Sequence, residues 1–165
     1  MGSVYRGHVD KQRVLFVSTA NAARSQMAEG MLRTWAGDRY EVASAGTDIT
    51  DVRQEAIAVM AEMGIDISGQ RSTSVNEFLG QPWQWVITVC ETARHTCPVF
   101  PGAVQTDHWS LEDPSKAGGT EAEKLEAFRR VGKEIADRVR MFVLVADRPY
   151  TQATHEEIQL PPQQR

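Results

Sequence analysis

The stretch Val14-Leu15-Phe16-Val17-Ser18-Thr19-Ala20-Asn21-Ala22-Ala23-Arg24-Ser25-Gln26-Met27-Ala28-Glu29-Gly30 changes its hydrophobic period halfway along. Val14–Val17 is a continuous apolar run, which suits a strand buried on both faces of a parallel sheet. From Arg24 onward the pattern is helical: Met27, Met31, Leu32 and Trp35 share one face, and Gly37 ends it. Only small residues, Ser18–Ala23, lie between. A buried strand, a tight loop and a helix open an α/β unit, whose ligands bind beyond the carboxyl ends of the strands.

The rest of the chain repeats the alternation. Tyr40–Ala45 predicts a second strand closed by Gly46, and Val52–Met63 a second helix stopped by Gly64. A third strand, Trp85–Val89, follows Gly80 and Pro82, and Val104–Trp109 is a weaker fourth. Thr120–Val145 predicts a long amphipathic helix with Leu125, Phe128, Val131, Ile135, Val139 and Phe142 along its buried stripe. The expected fold is α/β in three layers, a four-stranded parallel sheet with helices on both faces. The polar N-terminus, residues 1–12, is expected to be flexible. The domain is expected to span 13–146, and the tail 147–165, ending in Pro161-Pro162-Gln163-Gln164-Arg165, to be disordered.

Composition sets the class. A length of 165 residues suits one domain with a full core and no staples. With 41% hydrophobic and 24% charged residues, the chain is not a disordered one. Eighteen Lys and Arg against 22 Asp and Glu leave a net charge of −4, so nothing points to a nucleic acid or a membrane as partner. The longest apolar runs, Val14–Val17 and Met141–Ala146, are too short to span a bilayer, and no apolar leader opens the chain. A cytoplasmic monomer is expected.

The loop after the first strand carries a chemical signal. Thr19, Ala20, Asn21, Ala22 and Ala23 are small enough to let the backbone curl with its N–H groups inward, as an anion nest. The helix that follows adds the positive end of its dipole. Arg24 can fork onto two oxygens of a tetrahedral anion. On this reading Ser18 through Ser25 all line an oxyanion site. The plainer reading is an ordinary turn followed by an exposed arginine, and spacing alone leaves both open.

The longer string Val14–Gly30 closely resembles the phosphate loop shared by low-molecular-weight protein tyrosine phosphatases and thioredoxin-coupled arsenate reductases: a cysteine, five residues, an arginine, then Ser or Thr. Ser44-Ala45-Gly46-Thr47 is similar to the same families, and the likeness runs from about Arg13 to Val145. One departure is large: the nucleophilic cysteine of the family falls on Ser18. A thiol at a helix N-terminus beside Arg24 would ionise readily. A hydroxyl with no adjacent base is a far poorer nucleophile, though it still hydrogen-bonds an anion.

The two cysteines bracket Cys90-Glu91-Thr92-Ala93-Arg94-His95-Thr96-Cys97, which starts at the end of the third strand, on the same rim as Ser18. They read as two buried thiols, as zinc ligands with His95 (though a fourth ligand is missing), or as a redox pair. With Pro98 and His108-Trp109-Ser110-Leu111-Glu112-Asp113-Pro114 behind them, they resemble the reductases more than the phosphatases. That resemblance implies a relay. A thiolate at position 18 attacks arsenate held by the loop and Arg24, and Asp113 protonates the leaving oxygen. Cys90 attacks the adduct and arsenite departs. Cys97 then resolves the state as a Cys90–Cys97 disulfide that thioredoxin reduces. In a helix the two would stand about 10.5 Å apart along the axis, and a disulfide needs Cα atoms roughly 4.4–6.8 Å apart, so any helix there unwinds on oxidation.

Asp113-Pro114 matches the general-acid position of the family, although alone it is a common turn signal. Ser115 stands where the phosphatases usually place an aromatic. The resemblance also implies a potassium ion beside the loop, held by Asn21, Glu29 and Ser44. Its fourth, acidic ligand falls on Thr73, and the same residues also read as capping and packing partners. His108 beside Trp109 reads as a packing or hydrogen-bonding residue, and Trp35, Trp83 and Trp85 as core or cover. No cofactor is required. The expected function is that of an arsenate reductase with serine at the nucleophile, binding oxyanions with little or no turnover. A tyrosine phosphatase and a non-catalytic oxyanion-binding or sensing protein are the alternatives.

Overall fold

The computed structural model describes residues 11–90, 100 and 103–146. Its centre is β1, Gln12–Ser18, which pairs in parallel with β2, Tyr40–Gly46, on one side and β3, Trp85–Thr88, on the other. β4, Gln105–His108, lies in parallel beyond β3, giving the order β2-β1-β3-β4. Because β1 is central and covered on both faces, Val14, Leu15, Phe16 and Val17 are all essentially inaccessible. The strand begins earlier than its apolar run: Gln12 and Arg13 pair with Tyr40 and Glu41 while staying partly exposed. β4 is polar and largely exposed, as a tolerated edge strand must be.

The α-helices among the described residues are α1, Arg24–Ala36, α2, Gln54–Glu62, and α3, Glu121–Ala146. Along α3 the buried positions Phe128, Val131, Ile135, Val139 and Phe142 recur at helical spacing, with Ala127, Gly132 and Ala136 filling the same stripe. Phe142 closes its far end, edge-on to Trp85 at 5.1 Å and tilted against Tyr40 at 5.6 Å. Alternate residues of β1 feed two cores. Val14 and Phe16 meet Met27 and Met31 of α1, Val59 and Met60 of α2, and Ile135 of α3. Leu15 and Val17 meet Val75, Trp83, Val86 and Phe100 on the opposite face.

Both faces of the sheet are therefore covered, but unequally. Among the described residues the three α-helices all feed the first core, and the second is closed by the 3-10 turn Val75–Glu77 with Trp83 and Phe100. Strand–helix alternation in a sequence says that cover exists, not which face receives it. α1 also lies unusually close to its neighbour: a Cβ on Gly30 would stand 2.6 Å from Ile67 Cγ2.

Chain direction selects the functional rim. From β1 the chain crosses to β2 on one side, then returns past β1 to β3 on the other. Connections that leave a central strand in opposite directions open a crevice at the carboxyl ends. No described helix is long and apolar enough to cross a membrane. The N-terminal residues 1–10, the tail 147–165, and Cys97 with His95 lie outside the described residues.

Candidate functional site

The loop leaving β1 is held by its carbonyls. Those of Ser18, Thr19, Ala20 and Ala22 accept from the backbone N–H groups of Thr47, Asp48, Thr50 and Arg53, at 2.8–3.3 Å. Tying the carbonyls to that outer wall turns the amides of the loop the other way, as a nest requires. α1 then starts without help: no described side chain caps Ala23, and the first turn has no acidic residue. Its first N–H groups are the orphan donors of any helix start, so an anion there meets donors and a positive dipole end.

Ser18 sits at the focus of this turn. Its Oγ accepts the Asn21 N–H at 3.0 Å and shares a hydrogen bond with Ser25 Oγ at 2.7 Å. Asn21 takes φ 50°, a left-handed conformation that asparagine tolerates better than most residues. The residue is fully buried and works as a hub. Its Nδ2 donates to Ser25 Oγ at 2.8 Å and to Ser44 Oγ at 2.9 Å. Its Oδ1 accepts the Thr73 N–H at 2.8 Å and Gln26 Nε2 at 3.0 Å.

Arg24 is not the exposed arginine of an ordinary turn; it is 9% accessible. Nη1 donates to Leu111 O at 2.9 Å, and Nη2 stands 3.6 Å from Asp113 Oδ2. Asp113 also accepts from the Ser115 N–H at 3.0 Å and Ser115 Oγ at 2.6 Å. Burial works to raise its pKa, but the Ser115 hydroxyl, the Arg24 charge, the Ser115 N–H and Lys116 outweigh it. The carboxyl is therefore held below its usual range, ionised in the anion-free state. The proton-donating role expected of it needs an anion that draws Arg24 away and adds negative charge.

Glu29 is a buried carboxylate one turn into α1. Burial pushes its pKa up, against the charge and hydrogen bond of Arg33 and the Ser44 N–H. Arg33 Nη2 stands 3.1 Å from Glu29 and donates to Val42 O at 2.8 Å, while Nη1 donates to Gln70 Oε1 at 3.1 Å. Gln70 Nε2 in turn donates to Gln26 O and Oε1, at 3.0 and 2.8 Å.

Cys90 is buried at the end of β3, where the Val89 N–H bonds to Val17 O at 2.9 Å and brings that end alongside Ser18. His108 Nδ1 is hydrogen-bonded to Thr88 Oγ1 at 2.6 Å. Trp83 is core, Trp85 packs on Phe142, and Trp35 lies under the Arg140 guanidinium at 4.7 Å. No three of the described His, Cys, Asp and Glu residues are grouped as a metal centre would need.

The structure thus links Ser18, Asn21, Ser25 and Ser44 in one hydrogen-bonded network, pairs Arg24 with Asp113 beside it, and sets Cys90 on the same rim. Gln26, Arg33, Gln70 and Ser72 belong to the same network, although no motif in the sequence singles them out. Ser72 Oγ donates to Asn21 O at 2.8 Å.

The chain is similar to proteins of known identity over most of its length. A profile of the low molecular weight phosphotyrosine protein phosphatase family matches residues 13–157. The arsenate reductase of Halalkalibacterium halodurans is 41% identical over 134 residues, 81% of this chain and 96% of that protein. The arsenate reductase of Oceanobacillus iheyensis is 39% identical over the same shares. Among solved structures, one described as an arsenate reductase in the phosphate binding state matches with a TM-score of 0.71 and 34% identity, covering 81% of this chain and 98% of that one.

Proposed function

The chain belongs to the low molecular weight phosphotyrosine protein phosphatase family, among its arsenate reductases, and from that premise we propose that its loop binds arsenate and other tetrahedral oxyanions, with Ser18 in the place of the attacking cysteine. One observation carries this reading: Ser18 Oγ lies at the focus of the loop, held by the Asn21 N–H and Ser25 Oγ. Donors so placed would stabilise a thiolate, and equally an anion's oxygen. The relative in a phosphate binding state supports the same ligand class.

Serine decides turnover. Among the described residues no base stands beside its hydroxyl, whose two partners there are a backbone N–H and another hydroxyl, and Asp113 is engaged by Ser115 and Arg24. The chain as written holds the oxyanion and turns it over little or not at all. With a thiolate at position 18, a sulfur–arsenic bond forms while an arsenate oxygen leaves as water, with the proton supplied by Asp113. Cys90 attacks the position-18 sulfur, and the electron pair of the broken bond leaves on arsenic as arsenite. Cys97 then displaces that sulfur to close Cys90–Cys97, and a thioredoxin dithiol reopens it. Two electrons pass from two thiols to one arsenic.

Cys90 on the rim beside Ser18 favours the reductase over the phosphatase, which needs no second thiol. A serine hydroxyl in the place of the thiol, a far poorer nucleophile, favours the non-catalytic oxyanion binder as the role of the chain as written. Ser18→Cys should give arsenate reduction with thioredoxin and its reductase, against little or none in the parent. Turnover of an aryl phosphate with none of arsenate would overturn the reductase reading in favour of the phosphatase.

A further inference from the structure

Potassium beside the loop is an expectation of family resemblance, and the donor set at Asn21, Glu29 and Ser44 does not suit it. A hard cation needs oxygen lone pairs directed at it, and net negative charge helps to hold it. Asn21 presents Nδ2, a donor, to Ser44 Oγ, while its Oδ1 is taken by the Thr73 N–H and Gln26 Nε2. Thr73 supplies no carboxylate. Glu29 does, but the Arg33 guanidinium already stands 3.1 Å from it. An added cation would share one negative charge with a fixed positive one.

We propose that the Arg33 guanidinium is the resident cation of this loop, a positioning residue that holds Asn21 through two routes, and that the chain needs no alkali ion there. One route runs from Arg33 to Glu29, to the Ser44 N–H, and from Ser44 Oγ to Asn21 Nδ2. The other runs from Arg33 to Gln70 Oε1, from Gln70 Nε2 to Gln26, and from Gln26 Nε2 to Asn21 O and Oδ1. Both converge on the residue whose left-handed backbone turns the loop. The bond to Val42 O ties the same guanidinium to β2, so its three acceptors come from α1, β2 and the segment before Thr73. A planar fork suits three separated acceptors in a way a spherical ion does not.

Hydrogen exchange of the loop amides, residues 18–25, tests this with no oxyanion added, in potassium, sodium and choline chloride at equal ionic strength. The parent should exchange at one rate in all three. Arg33→Met keeps the apolar stem and removes the charge and donors. It should quicken exchange across 18–25 by about tenfold or more through local opening, with protection in α3 unchanged. Arg33→Lys should recover most of that protection. A parent loop protected by potassium but not by choline would overturn the proposal, and that arm needs no variant to fold. So would loop rates unaltered in Arg33→Met, or loop and α3 quickening together, which marks a merely structural brace. The inference rests on the loop as an anion site only for its consequence: failure of phosphate to bind would sink the oxyanion reading and leave these rates as they are.

Discussion

Asp113 is a carboxylate that burial would neutralise and its neighbours keep charged. Its folded pKa lies below the ordinary carboxylate value, with burial opposing and the Ser115 hydroxyl, Arg24, the Ser115 N–H and Lys116 prevailing. A depressed pKa contributes stability at pH above the unfolded value, and that stability is lost as pH falls through the folded one. Asp113→Asn should therefore be less stable than the parent near neutral pH. In urea titrations at a series of pH values the gap should close below the usual aspartate pKa of about 3.9. A gap independent of pH would mean that the side chain serves by shape alone. Single residues were unequally legible in the sequence. Ser18, Arg24 and Asp113 could be placed because loop and helix are contiguous and Asp-Pro is a recognisable pair. Arg33 and Glu29 have the spacing of an ordinary helical ion pair. What makes them more is Gln70, Val42 and Ser44, brought in by folding, and helical period says nothing about such partners.

At the scale of elements, the loop after β1 and the end of β2 are fitted to each other at Gly46. A Cβ there would lie 2.7 Å from Thr19 O and 2.9 Å from both the backbone N and the Cβ of Asn21. Two of these three atoms are backbone, so no side-chain rotation relieves the clash. Gly46→Ala should displace the loop, weaken phosphate binding by tenfold or more, on the order of 1.4 kcal/mol, and lower stability by about 1–3 kcal/mol. Gly69→Ala, with nothing within 4 Å of its added carbon, is the matched control and should leave both unchanged. Titration calorimetry with phosphate and a urea midpoint read the two effects separately. Element cores were legible and element ends were not. Val14–Val17 announces itself as buried, whereas Gln12 and Arg13 extend the strand by backbone pairing that no side-chain pattern encodes. The polar strand Gln105–His108 gave only a weak signal for the same reason.

Among the described residues of the whole molecule there is one large core under three α-helices and a smaller one on the other face, and the strand ends and loop at the rim contribute Ala23 to the first and Val17 and Ala45 to the second. Strand order was not written in any local pattern, because it depends on which face each crossover takes. Stability and binding should nonetheless separate. Ile135 is fully buried in α3 and makes no hydrogen bond to the loop through its side chain, so Ile135→Ala should cost about 2–5 kcal/mol. Phosphate at 100 times its dissociation constant should add about 2.7 kcal/mol to the folded state by preferential binding. That increment should survive in Ile135→Ala, since Ile135 supplies no polar group that an anion in the loop could meet. It should vanish in Arg24→Ala, where the fork onto the anion is gone while the large core is intact. Thermal unfolding of parent and both variants, with and without phosphate, gives all the terms at once. An increment that persists in Arg24→Ala would place the anion somewhere other than the loop, whatever happens in the core variant.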